Sequence, residues 1–326
     1  MSVGLVLPTR RFSLPADLAA LASRVLVVAL LCGALALASD AFFTASNLLN
    51  VLRQASLVFL IASGLTLVIL TAGLDLSIGS NVALSACLAA TVMKATGSSL
   101  LGVATGFACG ASVGMLNGLM VTWLRIPPFI ATYGMLWVLN GITYWYMAGE
   151  TIHGFAPGFR ALGSGYLLAI PVPVYLMAAF LVAGVLFTRY TVFGHEIYAI
   201  GANREAARLS GIPVRSRLNL VYALSGAMAG LAAIVYLARL NSAEADIGES
   251  LTLPPIAAAL IGGTSLFGGV GTLAGTLVGA VILTLVLNGM NLLAVNANWQ
   301  PLVTGVIVVL AVWVDVATRQ RVEARA

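Results

Sequence analysis

What this sequence has least of is charge: Asp, Glu, Lys and Arg make up 8% of its 326 residues, against 60% hydrophobic ones. Soluble domains carry about 25% charged residues, so a water-facing globular fold is excluded and the solvent that remains is lipid. The mean hydropathy of +1.04 agrees. The alternation of apolar and polar residues that a membrane barrel needs is missing too, which leaves helices to do the spanning.

Other absences narrow the function. There are two histidines, His153 and His195, in loops predicted on opposite sides, which argues against a histidine metal pair or a catalytic dyad. Cys32, Cys87 and Cys109 are odd in number, lie inside apolar runs and lack metal-ligand spacing, so they read as packing residues rather than a disulfide framework. No Gly-x-x-x-x-Gly-Lys-Ser/Thr loop occurs, and no lysine follows Gly262 to Gly269, so the chain carries no phosphate-binding loop of this kind. The net charge of +5 comes without a Lys/Arg run or zinc spacing, which sets nucleic acid aside as a partner.

What is present is a series of apolar runs of about 20 residues, each long enough to cross a hydrocarbon core of about 30 Å as a helix. The expected spans are 24–40, 50–73, 77–93, 100–123, 129–149, 168–188, 217–240, 252–267, 271–294 and 300–317, making an all-α integral membrane protein of about ten transmembrane helices. Residues 24–317 then form a single transmembrane domain, with a cytoplasmic N-terminal segment over 1–23, a charged loop over about 189–217 and a cytoplasmic tail over 318–326. With both termini cytoplasmic, only Arg53, Lys94, Arg160 and Arg239 of the 16 basic residues fall outside, the asymmetry that orients membrane proteins. The first apolar run follows Arg10, Arg11 and Arg24 and ends in Ala36-Leu37-Ala38, imitating a cleaved leader or a twin-arginine signal; an uncleaved first helix is the preferred reading.

Two spans are interrupted in the same way. Thr71 to Asn81 carries Gly73, Asp75, Ser77 and Gly79, and Ile261 to Gly271 carries Gly262, Gly263, Gly268 and Gly269. Setting Gly73 on Gly263 also sets Leu76 on Leu266 and Gly79 on Gly269, an offset of 190 residues (263 minus 73). Asn117-Gly118 before Pro127-Pro128 echoes Asn288-Gly289 before Pro301. This is a weak internal duplication, and five spans per half would make it an inverted repeat of the kind transporters use. Broken or re-entrant helices survive in lipid only where protein or a water-filled cavity surrounds them. Close packing of helices at small residues is the alternative for the glycines. For Asp75, capping of the next helix by Asp75 or Ser77 is the favoured reading, and cation coupling its rival.

Charge concentrates between the sixth and seventh spans, from Arg189 to Arg217. There Asn203 is a good N-cap, Glu205 suits the first turn, and Gly211 with Pro213 stops a helix of about two turns. So short a helix is marginal in water and implies docking. The small face of Ala206 and Ala207, flanked by Arg204 and Arg208, suits a groove with an acidic rim; a plain cytoplasmic loop that merely satisfies the inside bias of basic residues is an equal alternative on these residues alone.

Gly201-Ala202-Asn203-Arg204-Glu205-Ala206-Ala207-Arg208-Leu209-Ser210-Gly211-Ile212 resembles the coupling-helix signature of ribose-type permeases of bacterial ABC importers. Leu70 to Ser80, Asn117-Gly118 leading into Arg125 to Thr132, and Gly262 to Gly269 resemble the same family, so that almost the whole chain after the first helix is covered. The resemblance implies a non-catalytic permease in a bacterial inner membrane that pairs with a second copy or a paralogue. It further implies two cytoplasmic ATPase subunits holding ATP and Mg, a periplasmic or extracellular solute-binding protein, and no cofactor on this chain. The coupling role falls on Asn203, Arg204, Glu205, Ala206, Ala207, Arg208, Leu209, Gly211 and Ile212. The form Leu74-Asp75-Leu76-Ser77 inclines the substrate toward a small sugar, with a branched-chain amino acid, a nucleoside or a sugar-like signal as alternatives.

Arg160, Arg239, Glu244, Asp246 and Glu249 in the outer loops offer charge for the binding protein, although any one of them taken singly reads better as an ordinary solvated loop residue. Asn117, Tyr133, Trp137, Asn140, Asn288 and Asn291 are candidates to line a path for hydroxylated solutes, and interhelical hydrogen bonding explains them equally well. An ion-coupled secondary transporter is the leading rival in class, and a membrane receptor or structural protein without transport activity the second.

Overall fold

The computed structural model describes residues 14–323. Its helices are α1 (Leu14–Ala38), α2 (Ala45–Leu70), α3 (Ile78–Thr96), α4 (Ser99–Thr122), α5 (Pro128–Met147), α6 (Pro157–Ser164), α7 (Val172–Tyr190), α8 (Val192–Ala202), α9 (Arg204–Leu209), α10 (Val214–Leu240), α11 (Leu253–Ile261), α12 (Leu273–Leu292) and α13 (Gln300–Glu323). Local chemistry sets their ends. The hydroxyls of Thr44, Ser98, Thr191 and Thr272 accept amide hydrogen bonds at the starts of α2, α4, α8 and α12, and prolines open α5, α6, α7 and α11. Gly97 and Asn241 turn left-handed to end α3 and α10.

Among the described residues, seven helical stretches are long and apolar enough to cross a membrane: α2, α3, α4, α7, α10, α12 and Ala297–Ala317, which contains most of α13. The chain is therefore an all-α membrane protein. Helices also occupy the other three expected spans, with one correction: the segment 252–267 holds only the nine residues of α11. At 1.5 Å per residue, α11 is about 14 Å long and cannot span a core of about 30 Å by itself. Helix α1 begins before residue 24 and α13 continues past residue 317; residues 1–13 and 324–326 of the two predicted terminal segments lie outside the described residues.

Helices α2, α3, α10 and α12 are the most deeply buried, while α4, α7 and α13 present most of their surface outward. The most extensive contact is between α4 and α10. A Cβ built on Gly110 would stand 2.4 Å from the Gly226 carbonyl, and one on Gly114 would stand 2.2 Å from the Tyr222 carbonyl. Lipid supplies no hydrophobic force between helices, so backbone approach of this kind, allowed by glycine, provides the van der Waals contact. Polar pairs fix the register elsewhere: Thr66 with Thr276 (2.8 Å) and Asn47 with Asn288, whose amides exchange bonds of 2.8 and 3.2 Å. Two-residue strand pairs, β1 (Ile152–His153) with β4 (Ser242–Ala243) and β2 (Tyr166–Leu167) with β3 (Ile170–Pro171), close the loops at the α6 end.

Candidate functional site

The first break joins α2 to α3 within protein. After Leu70 the chain closes α2 with a bond from the Gly73 amide to the Val68 carbonyl (3.1 Å), wrapped around Ala72 at φ 57°. Asp75 follows, 1% exposed. Its Oδ1 accepts the Ser77 amide (3.1 Å), the Ser77 hydroxyl (2.7 Å) and, more weakly, Asn117 Nδ2 (3.4 Å). Asn117 Nδ2 also donates to Ser77 Oγ at 2.7 Å. Asp75 thus caps the turn that leads into α3, and the Ser77 hydroxyl donates to it instead of capping the helix. The Leu74 carbonyl is held by the hydroxyls of Thr132 on α5 (3.1 Å) and Tyr222 on α10 (3.4 Å). Gly79 lets α3 meet the 3-10 turn Ala245–Leu251, for a Cβ there would lie 2.3 Å from the Gly248 carbonyl.

The second break joins α11 to α12. It closes with the same bond pattern, from the Thr264 amide to the Ala259 carbonyl (3.0 Å) around Gly263 at φ 80°. Gly262 lies at the close crossing of α11 and α12, against Gly275. The carboxylate of this break comes from a distant part of the chain: Asp315 on α13 accepts the Ser265 hydroxyl (2.9 Å) and the Leu266 amide (3.2 Å) through Oδ2. Sequence reasoning missed Asp315. Its signal was a lone carboxylate near the end of the apolar run 300–317, the kind of residue that membranes tolerate only with a partner.

The two breaks touch each other and the segment carrying α9. The Gly269 amide donates to the Leu70 carbonyl at 2.9 Å. Gly201, just before α9, sits so close to that bond that a Cβ would lie 1.9 Å from the Leu70 oxygen and 2.4 Å from the Gly269 nitrogen. Gly268 and Gly269, at φ 81° and 72°, take a backbone shape closed to most side chains. Tyr198 on α8 adds a bond from its hydroxyl to the Gly271 carbonyl at 2.8 Å. A displacement of α8 and α9 is therefore passed by direct contact to the end of α2 and to the glycine loop.

Helix α9 is capped by Asn203, whose side chain accepts the amides of Glu205 (3.1 Å) and Ala206 (3.0 Å). It ends through a bond from the Ile212 amide to the Ala207 carbonyl (3.1 Å) around Gly211 at φ 85°. The predicted docking face needs correction. Ala207 is buried against Ile200, Val214, Leu218 and the flank of Ile212, anchoring the helix to its own protein. Arg204, Glu205, Ala206, Arg208 and Leu209 face outward, Leu209 with 75% of its surface exposed. Arg208 clasps Glu205 through bonds of 3.0 and 2.5 Å, and that hydrogen-bonded pairing holds the Glu205 carboxyl below its ordinary pKa.

A family described as branched-chain amino acid transport system / permease component matches residues 47–312. The chain belongs to that permease family. Similar relatives are the ribose import permease protein RbsC of Escherichia coli K12, 41% identical over 85% of this chain and 88% of the relative, and its Bacillus subtilis namesake, 42% identical over 85% and 87%. The galactose/methyl galactoside import permease protein MglC of Escherichia coli K12 is 36% identical over 84% and 87%. No solved structure matches the chain.

Both breaks and α9 lie inside the region this permease shares with its family. The residues predicted to line a path do not converge. Asn117, Asn140 and Asn288 are buried, Asn117 and Asn288 in the helix-to-helix bonds above, and Asn291 accepts from Gln300 at 2.8 Å. Tyr133 and Trp137 instead stand exposed along α5 with Phe129, in ring contact with one another. Of the predicted docking residues, Arg239 reaches Asn50 at 3.5 Å and Glu249 accepts from the Tyr144 hydroxyl at 3.4 Å. Arg160, Glu244 and Asp246 are exposed. Among the described residues, no group of His, Cys, Asp and Glu is arranged to hold a metal ion.

Proposed function

We propose that this permease is the membrane subunit of a binding-protein-dependent ABC importer for a small sugar in a bacterial inner membrane. The observation that carries the coupling mechanism is the junction of Gly201, Leu70 and Gly269, which ties an outward-facing short helix to both helix breaks. The sugar assignment draws on the relatives, named for ribose and galactose. Both termini and α9 face the cytoplasm in this reading, residues 24–317 act as one unit, and α11 enters without crossing. An inverted duplication of the two broken pairs accounts for the shared closure pattern.

A cytoplasmic ATPase, holding ATP and Mg, receives α9 through Ala206, Leu209 and Arg208. Closure of the ATPase pair moves α9, and the junction carries that motion to the breaks. The permease works beside a second copy or a paralogue, with Tyr133 and Trp137 of α5 toward the path. A solute-binding protein meets the charged loops at the α6 end, where Arg160, Glu244 and Asp246 are exposed. This chain does no chemistry of its own and binds no cofactor.

The deciding experiment is gentle solubilisation of the C-terminally tagged chain from its host, with identification of what co-purifies. An ATPase subunit in stoichiometric amount is expected, and Ala206→Glu should remove it while leaving insertion unchanged. Ala206→Glu with a full complement of ATPase and normal uptake would defeat the docking face. Absence of any ATPase, under conditions that preserve a known complex of this kind, would favour an ion-driven transporter.

A further inference from the structure

Three arginines of this chain meet around a cavity of about 320 Å³ at the α9 end: Arg125 from the turn between α4 and α5, Arg204 from α9 and Arg215 from the start of α10. All three are exposed and no acidic residue lines the cavity. The ion pairs found among the described residues, Arg208 with Glu205 and Arg217 with Glu196, involve none of them. The turn holds Arg125 at φ 58°, a left-handed backbone unusual for a side chain of this size. Three like charges so placed call for an anion.

The neighbouring surface indicates which anion. A second cavity of about 520 Å³ shares Arg215 and lies between α4 and α10, lined by Met115, Trp123 and Leu220 together with Ser216 and Asn219. Trp123 is 73% exposed at the end of α4, a helix that turns most of its apolar surface outward. Tryptophan at the end of a spanning helix marks the headgroup level of a bilayer. A cavity that gathers three arginines over a largely apolar wall of Val121, Ile126, Pro127 and Pro128, and that adjoins a second, outward-facing groove through Arg215, fits an amphiphile with a phosphate at one end.

We propose that Arg125, Arg204 and Arg215 bind the phosphate of an anionic phospholipid, with an acyl chain lying along Met115, Trp123 and Leu220. The site would place a lipid headgroup against α9 and let membrane composition act on the helix that meets the partner. The assignment does not depend on the transported solute or on an ATPase, because this chain alone supplies every contact.

The test is native mass spectrometry of the full chain in detergent, offered phosphatidylglycerol or phosphatidylcholine with identical acyl chains. Phosphatidylglycerol is expected to be retained preferentially, with each arginine contributing about fivefold. The Arg125→Gln/Arg215→Gln double variant should lose the preference, and Arg160→Gln, an exposed arginine at the opposite end, should keep it. Both variants must first elute from size exclusion as the parent does, so that misfolding is not read as lost binding. Equal retention of the two lipids, or a preference that survives the double variant, would overturn the proposal. Displacement of the lipid by millimolar glycerol phosphate would also overturn it, in favour of a soluble anion. A double variant that keeps its lipid preference but loses a co-purifying ATPase would assign the arginines to that protein instead.

Discussion

The two helix breaks close with one backbone pattern and are locked by two different arrangements. In the first, the carboxylate of Asp75 lies inside the break and bonds to a residue two positions away. In the second, the carboxylate arrives from α13, fifty residues along the chain from the serine it holds. The first lock is buried and local, so it opens only if buried donors lose their acceptor. The second depends on where α13 stands and can be loosened by a movement of that helix as a whole. The glycine loop between them bonds to Leu70 and touches the segment before α9. The comparison teaches that the first break is a fixed point and the second a movable one.

The largest effect is expected at the fixed point. Asp75→Ala would strand the Ser77 amide and hydroxyl and weaken the hold on Asn117, all buried. At about 1 to 3 kcal/mol for each unsatisfied buried group, the loss should reach about 3 kcal/mol, read as a lower SDS fraction at the unfolding midpoint of the purified chain. Asp75→Asn keeps an acceptor oxygen, so it should retain most of that stability and the uptake activity. An Asp75→Asn protein that is stable but unable to transport would show that the charge itself is needed, as cation coupling requires.

Asp315→Ala should cost less, about 1 to 2 kcal/mol, because Asp315 and Leu266 are partly exposed and water can reach the freed amide, although Ser265 is buried. The distinguishing readout is local: amide exchange should rise at Leu266 to Gly269 and stay unchanged at Gly73 to Ser77. Equal rises at both places would dissolve the distinction between a fixed and a movable break.

Much of this was legible beforehand, for identifiable reasons. Apolar length sets the spans, because lipid demands it, and Asn203 with Gly211 set the limits of α9, because caps are local. The eighth span was misjudged because Leu266 and Phe267 extend the apolar run beyond Ile261, although the chain there is a glycine loop. The inward turn of Ala207 could not be read, since the pattern of a six-residue helix does not say which side meets its own protein. Asn117 suited a path wall and an interhelical hydrogen bond equally well, and only the fold brings it to Ser77, forty residues away in sequence. Asp315 was within reach of the reasoning that singled out Asp75, but nothing in the sequence pairs it with Ser265.

The offset between the breaks supplies the smallest and most specific test. Matching glycines in the sequence aligns Gly73 with Gly263, an offset of 190, whereas the hydrogen bonds align Ala72 with Gly263 and Gly73 with Thr264, an offset of 191 (263 minus 72). The left-handed position is therefore alanine in one break and glycine in the other, at φ 57° and 80°. Alanine pays a steric penalty there that glycine avoids, so Ala72→Gly should stabilise the chain, by less than about 1 kcal/mol once the greater freedom of unfolded glycine is counted. The Ala72 methyl also stands close to the glycine loop, where a Cβ on Gly268 would approach it to 2.9 Å. A higher unfolding midpoint for Ala72→Gly would mean that backbone strain dominates at this position and that the two closures are equivalent. A midpoint lowered by more than about 1 kcal/mol would mean that contact with the glycine loop outweighs the strain, and the first break would then owe part of its fixity to the second.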